Sequence, residues 1–174
     1  MQTHAGQLPA IYRLLKTEEE KLIKVLFVCL GNICRSPMAE FVFSDMLKKR
    51  SIEKDFFVSS AATSDEAAGC AVHRGTTQKL KQYGISTAGK YAVQMTKNDY
   101  DKYDYIIAME KQNICDVLKI TGGDPDKKVY RLLDFTSEKR DIADPWYTGN
   151  FDKTYDDIVS GCNAFLDAVL KNSL

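Results

Sequence analysis

Cys29 and Arg35, with five residues between them, are spaced for a chemistry that neither performs alone. A thiol acts as a nucleophile when it is the thiolate, and a helix N-terminus or nearby cation favours that form. A guanidinium is a planar fork that matches two oxygens of a phosphate. The segment between strand and helix, Leu30, Gly31, Asn32, Ile33, Cys34, Arg35 and Ser36, is read as a phosphate-binding loop. Its backbone N–H groups can turn inward as an anion nest, with Gly31 expected to take the positive φ that such a loop needs. A thiolate inside a phosphate cradle is the equipment for a cysteinyl-phosphate intermediate. Ser36 is expected to donate to the Cys29 sulfur, and Asn32 to shape the loop through side-chain hydrogen bonds, since asparagine tolerates a left-handed conformation. The loop and Arg35 already supply positive potential, so neither metal nor cofactor is expected.

A phosphate monoester also needs an acid to protonate its leaving oxygen, worth about 10²–10⁴-fold in rate. Asp144, in the run A-D-P-W-Y-T-G-N, is the candidate. Pro145 stiffens the backbone after it, Gly149 permits a turn, and Trp146 and Tyr147 are expected to wall a pocket for a flat phenol ring. Asp141 is the rival carboxylate of the same loop.

These residues need elements to position them. The apolar run Val25 to Val28 reads as a buried strand ending at Cys29. Pro37 opens a helix predicted over 37–50. Further strands are predicted over 56–60, 105–109 and 128–132, and helices over 74–83, 111–120 and 154–170. Gly84 and Gly122–Gly123 act as stops. Thr96 with Asp99 reads as a helix cap, and 133–150 as a long functional loop. The alternation implies a three-layer α/β/α sandwich with a central four-stranded parallel sheet and the phosphate-binding loop after its first strand. Ligands in such sheets bind at the carboxyl ends of the strands, where Cys29 falls.

One domain over 23–174 is expected, preceded by an N-terminal extension over 1–22 that is a helical arm or disordered. A formal net charge of zero gives no nucleic-acid footprint, and no apolar run is long enough for a membrane span. The first 24 residues lack the apolar core of a secretory signal and contain Glu18, Glu19 and Glu20. Five cysteines without metal-binding spacing fit a reducing cytoplasm. Cys70, Cys115 and Cys162 are read as core or incidental, and His73 as a surface or capping residue.

The run C-L-G-N-I-C-R-S-P over 29–37 resembles the signature of the low-molecular-weight protein tyrosine phosphatases, and the likeness extends from about Lys24 to the C-terminus. The 61–75 and 141–155 segments resemble bacterial members. The resemblance implies phosphotyrosine-containing proteins as substrates, Cys29 as nucleophile, Arg35 as phosphate ligand and Asp144 as general acid and base. It implies that Ser60 supports the loop through Asn32, and that Cys34 can form a protective disulfide with Cys29. A monomer is expected, with a weak dimer as the alternative. Some members carry a His where Tyr83 stands, paired with the carboxylate matching Glu40; that pair is not expected here. The small, acidic segment around Glu66 suggests a lower pocket wall. A sister branch, the protein-arginine phosphatases, places Thr where Ile33 stands, and remains an alternative. A thiol-dependent arsenate reductase would need two more redox cysteines close together, and Cys70, Cys115 and Cys162 are far apart. A binding-only protein is the third alternative, against which stand Cys29, Arg35 and Asp144 together.

Overall fold

The structure is a computed structural model and describes residues 22–172. The extension expected over 1–22 therefore lies, Leu22 apart, outside the described residues. Four strands, β1 (Ile23–Cys29), β2 (Phe56–Ala62), β3 (Tyr105–Ala108) and β4 (Val129–Arg131), form one parallel sheet in the order β2-β1-β3-β4. The helices are α1 (Arg35–Lys49), α2 (Arg74–Lys81), α3 (Asn98–Lys102), α4 (Lys111–Thr121), α5 (Pro145–Thr148) and α6 (Phe151–Leu170). This is the three-layer α/β fold that the alternating pattern implies.

Both faces of β1 are covered, which is why it is an unbroken apolar run rather than an alternating one. Val25, Phe27 and Cys29 point into the core shared with α1 and α6, while Leu26 and Val28 face a second core beneath α3 and α4. Phe27 meets Phe43 of α1 and Phe165 of α6 edge-on, at centroid distances of 5.5 and 6.5 Å. Truncating Phe27 to Ala would cost about 3–5 kcal/mol in lost burial and cavity. Gly161 of α6 has no room for a side chain, because a Cβ there would lie 2.5 Å from Leu132. The final helix thus packs hard against the short 3-10 turn Leu132–Phe135.

Element ends follow local chemistry. Asn150 caps α6 by accepting from the Lys153 N–H at 2.9 Å, so that helix starts three residues earlier than its apolar spacing suggests. Gly122 ends α4 at φ +83°. α2 stops at Lys81, and Gln82 to Gly84 form a turn instead of the last helical residues predicted. β2 runs two residues further than predicted, because Ala61 and Ala62 pair in register with Val28 and Cys29. The 133–150 stretch is not a plain loop: the 3-10 turn and α5 occupy much of it. Thr96 donates through N–H and hydroxyl to Asp99 at 2.8 and 3.1 Å, although α3 itself begins at Asn98. Among the described residues no helix is long and apolar enough to cross a membrane.

Candidate active site

Cys29 ends β1 at the carboxyl edge of the sheet, and α1 begins six residues later at Arg35. Gly31 does not take the positive φ expected of it. That conformation belongs to Asn32, at φ +54°, and asparagine tolerates it because its short amide can bond locally. The N–H groups of residues 31–35 donate to no acceptor among the described residues, so they are available to an anion. Ser36 turns two groups to the sulfur: its hydroxyl lies 3.1 Å from Cys29 Sγ and its N–H 3.5 Å away.

Behind the sulfur runs a line of buried polar groups. Asn32 Nδ2 donates to Ser36 Oγ at 2.9 Å and to Ser60 Oγ at 2.8 Å, and its Oδ1 accepts from the Val93 N–H at 3.1 Å. Ser60 Oγ donates to Glu40 Oε2, which also accepts from Lys90 Nζ at 2.7 Å. Lys90 reaches the Ser60 carbonyl too, at 3.1 Å. Donor directions in this chain follow from its far end. A carboxylate paired with a cation only accepts, so Ser60 donates to Glu40 and must accept from Asn32. Ser36 likewise accepts from Asn32, which leaves its hydrogen for the Cys29 sulfur or the Ala61 carbonyl at 3.4 Å. Glu40 is therefore not left alone. Tyr83, the position considered for its partner, instead stacks on Tyr155 at 4.3 Å.

Arg35 is almost wholly buried. Its Nη1 donates to the Ile142 carbonyl at 2.9 Å, and its Nη2 to Glu110 and Asp144, both at 2.8 Å. Its Nε is buried and has no acceptor among the described residues. Burial works against the guanidinium charge, but the facing Cys29, Glu110 and Asp144 outweigh it and push the Arg35 pKa above its ordinary value.

Asp144 caps α5: Oδ1 accepts from the Trp146 N–H at 3.0 Å while Oδ2 faces Arg35. The segment carrying it is pinned at three points. Ile142 is buried and donates through its N–H to the Met109 carbonyl at 2.9 Å. Arg140 grips Asp157 of α6 with two bonds of 2.8 and 2.9 Å. Burial opposes ionisation of Asp157, yet Arg140 and Lys153 hold its pKa below the ordinary value. Asp141 turns away to Arg131, at 2.7 Å, and to the Lys111 N–H. The two carboxylates of the loop are thus separated by their partners: Asp141 is a brace, and Asp144 faces Arg35.

All of this converges on a cavity of about 370 Å³. Cys29, Leu30, Gly31, Ile33, Cys34 and Arg35 form one part of its lining, and Asp144, Trp146 and Tyr147 another. A pocket of that size falls within the usual range of small-molecule sites.

The family model of the low molecular weight phosphotyrosine protein phosphatases matches residues 24–174. The chain belongs to this family. Among curated members, the low molecular weight protein-tyrosine-phosphatase YfkJ of Bacillus subtilis is 41% identical over 152 residues, which is 86% of this chain and 97% of that protein. PtpA of Staphylococcus aureus is 37% identical over 153 residues, 87% of this chain and 97% of that one. The crystal structure of YfkJ superposes with a TM-score of 0.86, covering 90% of this chain and all of the other at 39% identity. A Drosophila arginine phosphatase also superposes, with a TM-score of 0.78 and 31% identity over 84% of this chain and 98% of that one.

Within this family member the remaining lining comes from Ser64, Glu66, Ala67 and Cys70. Cys70 was expected in the core or as incidental, but it is exposed and part of the pocket wall. The 66–70 turns that carry it hold no apolar periodicity from which a pocket position could be inferred. Cys115 is exposed on α4, and Cys162 is fully buried against the sheet, as its place on the apolar face of the last helix implies. Cys34 is buried, and burial together with the nearby Asp144 and Cys29 pushes its thiol up to about 12. Sequence reasoning missed Glu110 and Lys90. Glu110 lies two residues past the end of β3 at the carboxyl edge, which is a positional signal; nothing local marks Lys90.

Proposed function

We propose that this protein hydrolyses phosphotyrosine in protein substrates through a cysteinyl-phosphate, with Cys29 as nucleophile, Arg35 and the 30–36 loop as phosphate ligands and Asp144 as general acid and base. The observation that carries this reading is the convergence of Cys29, Arg35 and Asp144 on one pocket, with Arg35 Nη2 2.8 Å from Asp144 Oδ2. An entering phosphate takes the place of the Asp144 carboxylate on the guanidinium, and Arg35 Nε and the free loop amides receive the equatorial oxygens. The sulfur attacks phosphorus as the phosphorus–oxygen bond to the leaving group breaks, and the Asp144 carboxyl gives that oxygen its proton. Water then attacks the thiophosphate, gives its proton to Asp144, and releases phosphate and the thiolate. The Ser36 hydroxyl stabilises the sulfur both as attacking and as departing group. Trp146 and Tyr147 grip the phenol ring, and Ser60 acts behind the loop by holding Asn32. Cys34, whose raised pKa keeps it a thiol, stands ready as a disulfide partner when Cys29 is oxidised. A thiolate nucleophile requires a reducing compartment, and the reading assigns the enzyme to the cytoplasm as a monomer.

The second reading is a protein-arginine phosphatase, favoured by the likeness to the Drosophila enzyme. Ile33 in the pocket lining and the aromatic pair of α5 favour an aryl ester instead. The test is hydrolysis of a phosphotyrosine peptide against a phosphoarginine peptide, without metal and with reductant. Preference for phosphotyrosine, lost in Cys29→Ser, supports the first reading. Preference for phosphoarginine replaces it with the second.

A further inference from the structure

His73 joins the phosphate-binding loop to the aromatic wall. Its backbone N–H donates to the Ile33 carbonyl at 2.8 Å, which ties it to the loop. Its ring Nδ1 accepts from the Gly75 N–H at 3.0 Å and so caps α2. An Nδ1 that accepts is unprotonated, so the neutral ring carries its hydrogen on Nε2. The same ring lies flat on Phe151, the first residue of α6, with centroids 5.2 Å apart and planes 5° apart. Its edge meets Trp146 at 5.5 Å and 72°. Gly75 makes this stack possible, because a Cβ there would lie 2.3 Å from the Phe151 ring. Phe151, His73 and Trp146 therefore form a column that stands on α2 and α6 and ends in the pocket lining.

Trp146 needs such a support. It is 59% exposed and sits in a helix of only four residues. An exposed indole without a fixed neighbour loses rotamer freedom when a substrate ring docks on it, and that cost weakens binding. We infer that His73 is a positioning residue for substrate recognition: its ring holds Trp146 in the orientation that receives the aromatic part of the substrate. His73 touches neither the reacting atoms nor the phosphate in this account. The inference rests on the phosphotyrosine reading, since only an aryl ester uses the wall.

The ring and the acceptor of His73 can be removed separately. His73→Asn keeps a side-chain acceptor at the N-cap and deletes the ring, whereas His73→Phe keeps a ring between Phe151 and Trp146 and deletes the acceptor. The measurement is KM and kcat for phenyl phosphate, the inhibition constant of inorganic phosphate, and the melting temperature of each variant. His73→Asn should raise KM for phenyl phosphate about 3–10-fold, the range that loss of one aromatic pair gives. Its kcat and its phosphate inhibition constant should stay within about two-fold, because the loop amides and Arg35 are untouched. His73→Phe should keep the wild-type KM and lose melting temperature through the vacant cap. An unchanged KM in folded His73→Asn, or an equal rise in both variants, overturns the inference. A wild-type protein without activity on phenyl phosphate but active on phosphoarginine would instead fail the reading on which it rests.

Discussion

Arg35 Nη2 and Asp144 Oδ2 lie 2.8 Å apart although 109 positions separate them in the chain. One belongs to the loop after β1, the other to the cap of α5. The contact joins the proposed phosphate ligand to the proposed proton donor. It is held from both sides: Arg35 also donates to the Ile142 carbonyl, and Ile142 is anchored to Met109 at the end of β3. The relative placement of Arg35 and Asp144 is thus a property of the folded chain, which is what the proposed catalysis by positioning requires.

Asp144→Ala should slow hydrolysis in proportion to how badly the leaving group needs a proton. For phenyl phosphate kcat should fall about 10²–10³-fold, within the usual range for general acid catalysis. For an ester of an acidic phenol, the phosphorylation step should fall far less. Pre-steady-state kinetics with both esters checks this. Equal losses would remove Asp144 from the acid role.

Arg35→Lys should lower kcat/KM at least 10²-fold, because a point charge cannot replace a fork that serves Ile142, Glu110 and Asp144 at once. Arg35 is buried, so the melting temperature should fall as well. Steady-state kinetics and thermal melts on the same preparation separate the two effects. A variant that melts like the wild type and keeps its kcat/KM would contradict the cradle.

Lys90→Met should weaken catalysis from the far end of the polar chain. Without the cation, Glu40 no longer acts as a fixed acceptor, so Ser60 is free to donate elsewhere and the Ser36 hydroxyl is no longer held as a donor towards the sulfur. One hydrogen bond to the sulfur is worth about 1–1.5 kcal/mol, so kcat/KM should fall roughly ten-fold. Alkylation of Cys29 by iodoacetamide at neutral pH should slow in parallel, and Lys90→Arg should recover part of both. Unchanged alkylation and turnover in Lys90→Met would show that the chain is only structural.

Stability should fall at alkaline pH. Burial pushes the thiols of Cys34 and Cys162 above their ordinary value of 9.0, Cys34 to about 12. Burial and the Asp124 carboxylate push the Tyr100 phenol to about 12. Each group holds its proton longer in the folded chain than in the unfolded one. The folded state therefore keeps this contribution below about pH 9 and loses it as pH rises towards 12. Thermal melts between pH 8 and pH 11 check the sign. A melting temperature that does not fall over that interval would contradict the burial of these groups.

The strands and the nucleophile loop could be read from the sequence because their signals are local. Val25 to Val28 are apolar on both faces, and Cys29, Arg35 and Pro37 fall within nine positions of one another. Asp144 could be chosen over Asp141 from the Pro that follows it, and the ion pair of Asp141 with Arg131 agrees with that choice. What could not be read depends on distant segments meeting. Lys90 reaches Glu40 across fifty positions, and the turn carrying Cys70 into the pocket wall is bonded to the distant Ala92. Glycine adopts a positive φ most easily and asparagine tolerates one, so the sequence offers both Gly31 and Asn32, with Gly31 the easier place for it. The chain uses Asn32 instead, where the amide also bonds Ser36, Ser60 and Val93. A side chain with three partners outweighs the small strain of a left-handed asparagine.

The most direct test of the account is to trap the intermediate. In the proposed mechanism Asp144→Ala removes the base for the second step, so an ester of an acidic phenol should phosphorylate the enzyme faster than water can clear it. Acid quench followed by peptide mass spectrometry should then find one phosphoryl group, located on Cys29 and absent from Cys29→Ser with Asp144→Ala. A phosphoryl group on another residue, or turnover by the Cys29→Ser protein, would contradict the central claim.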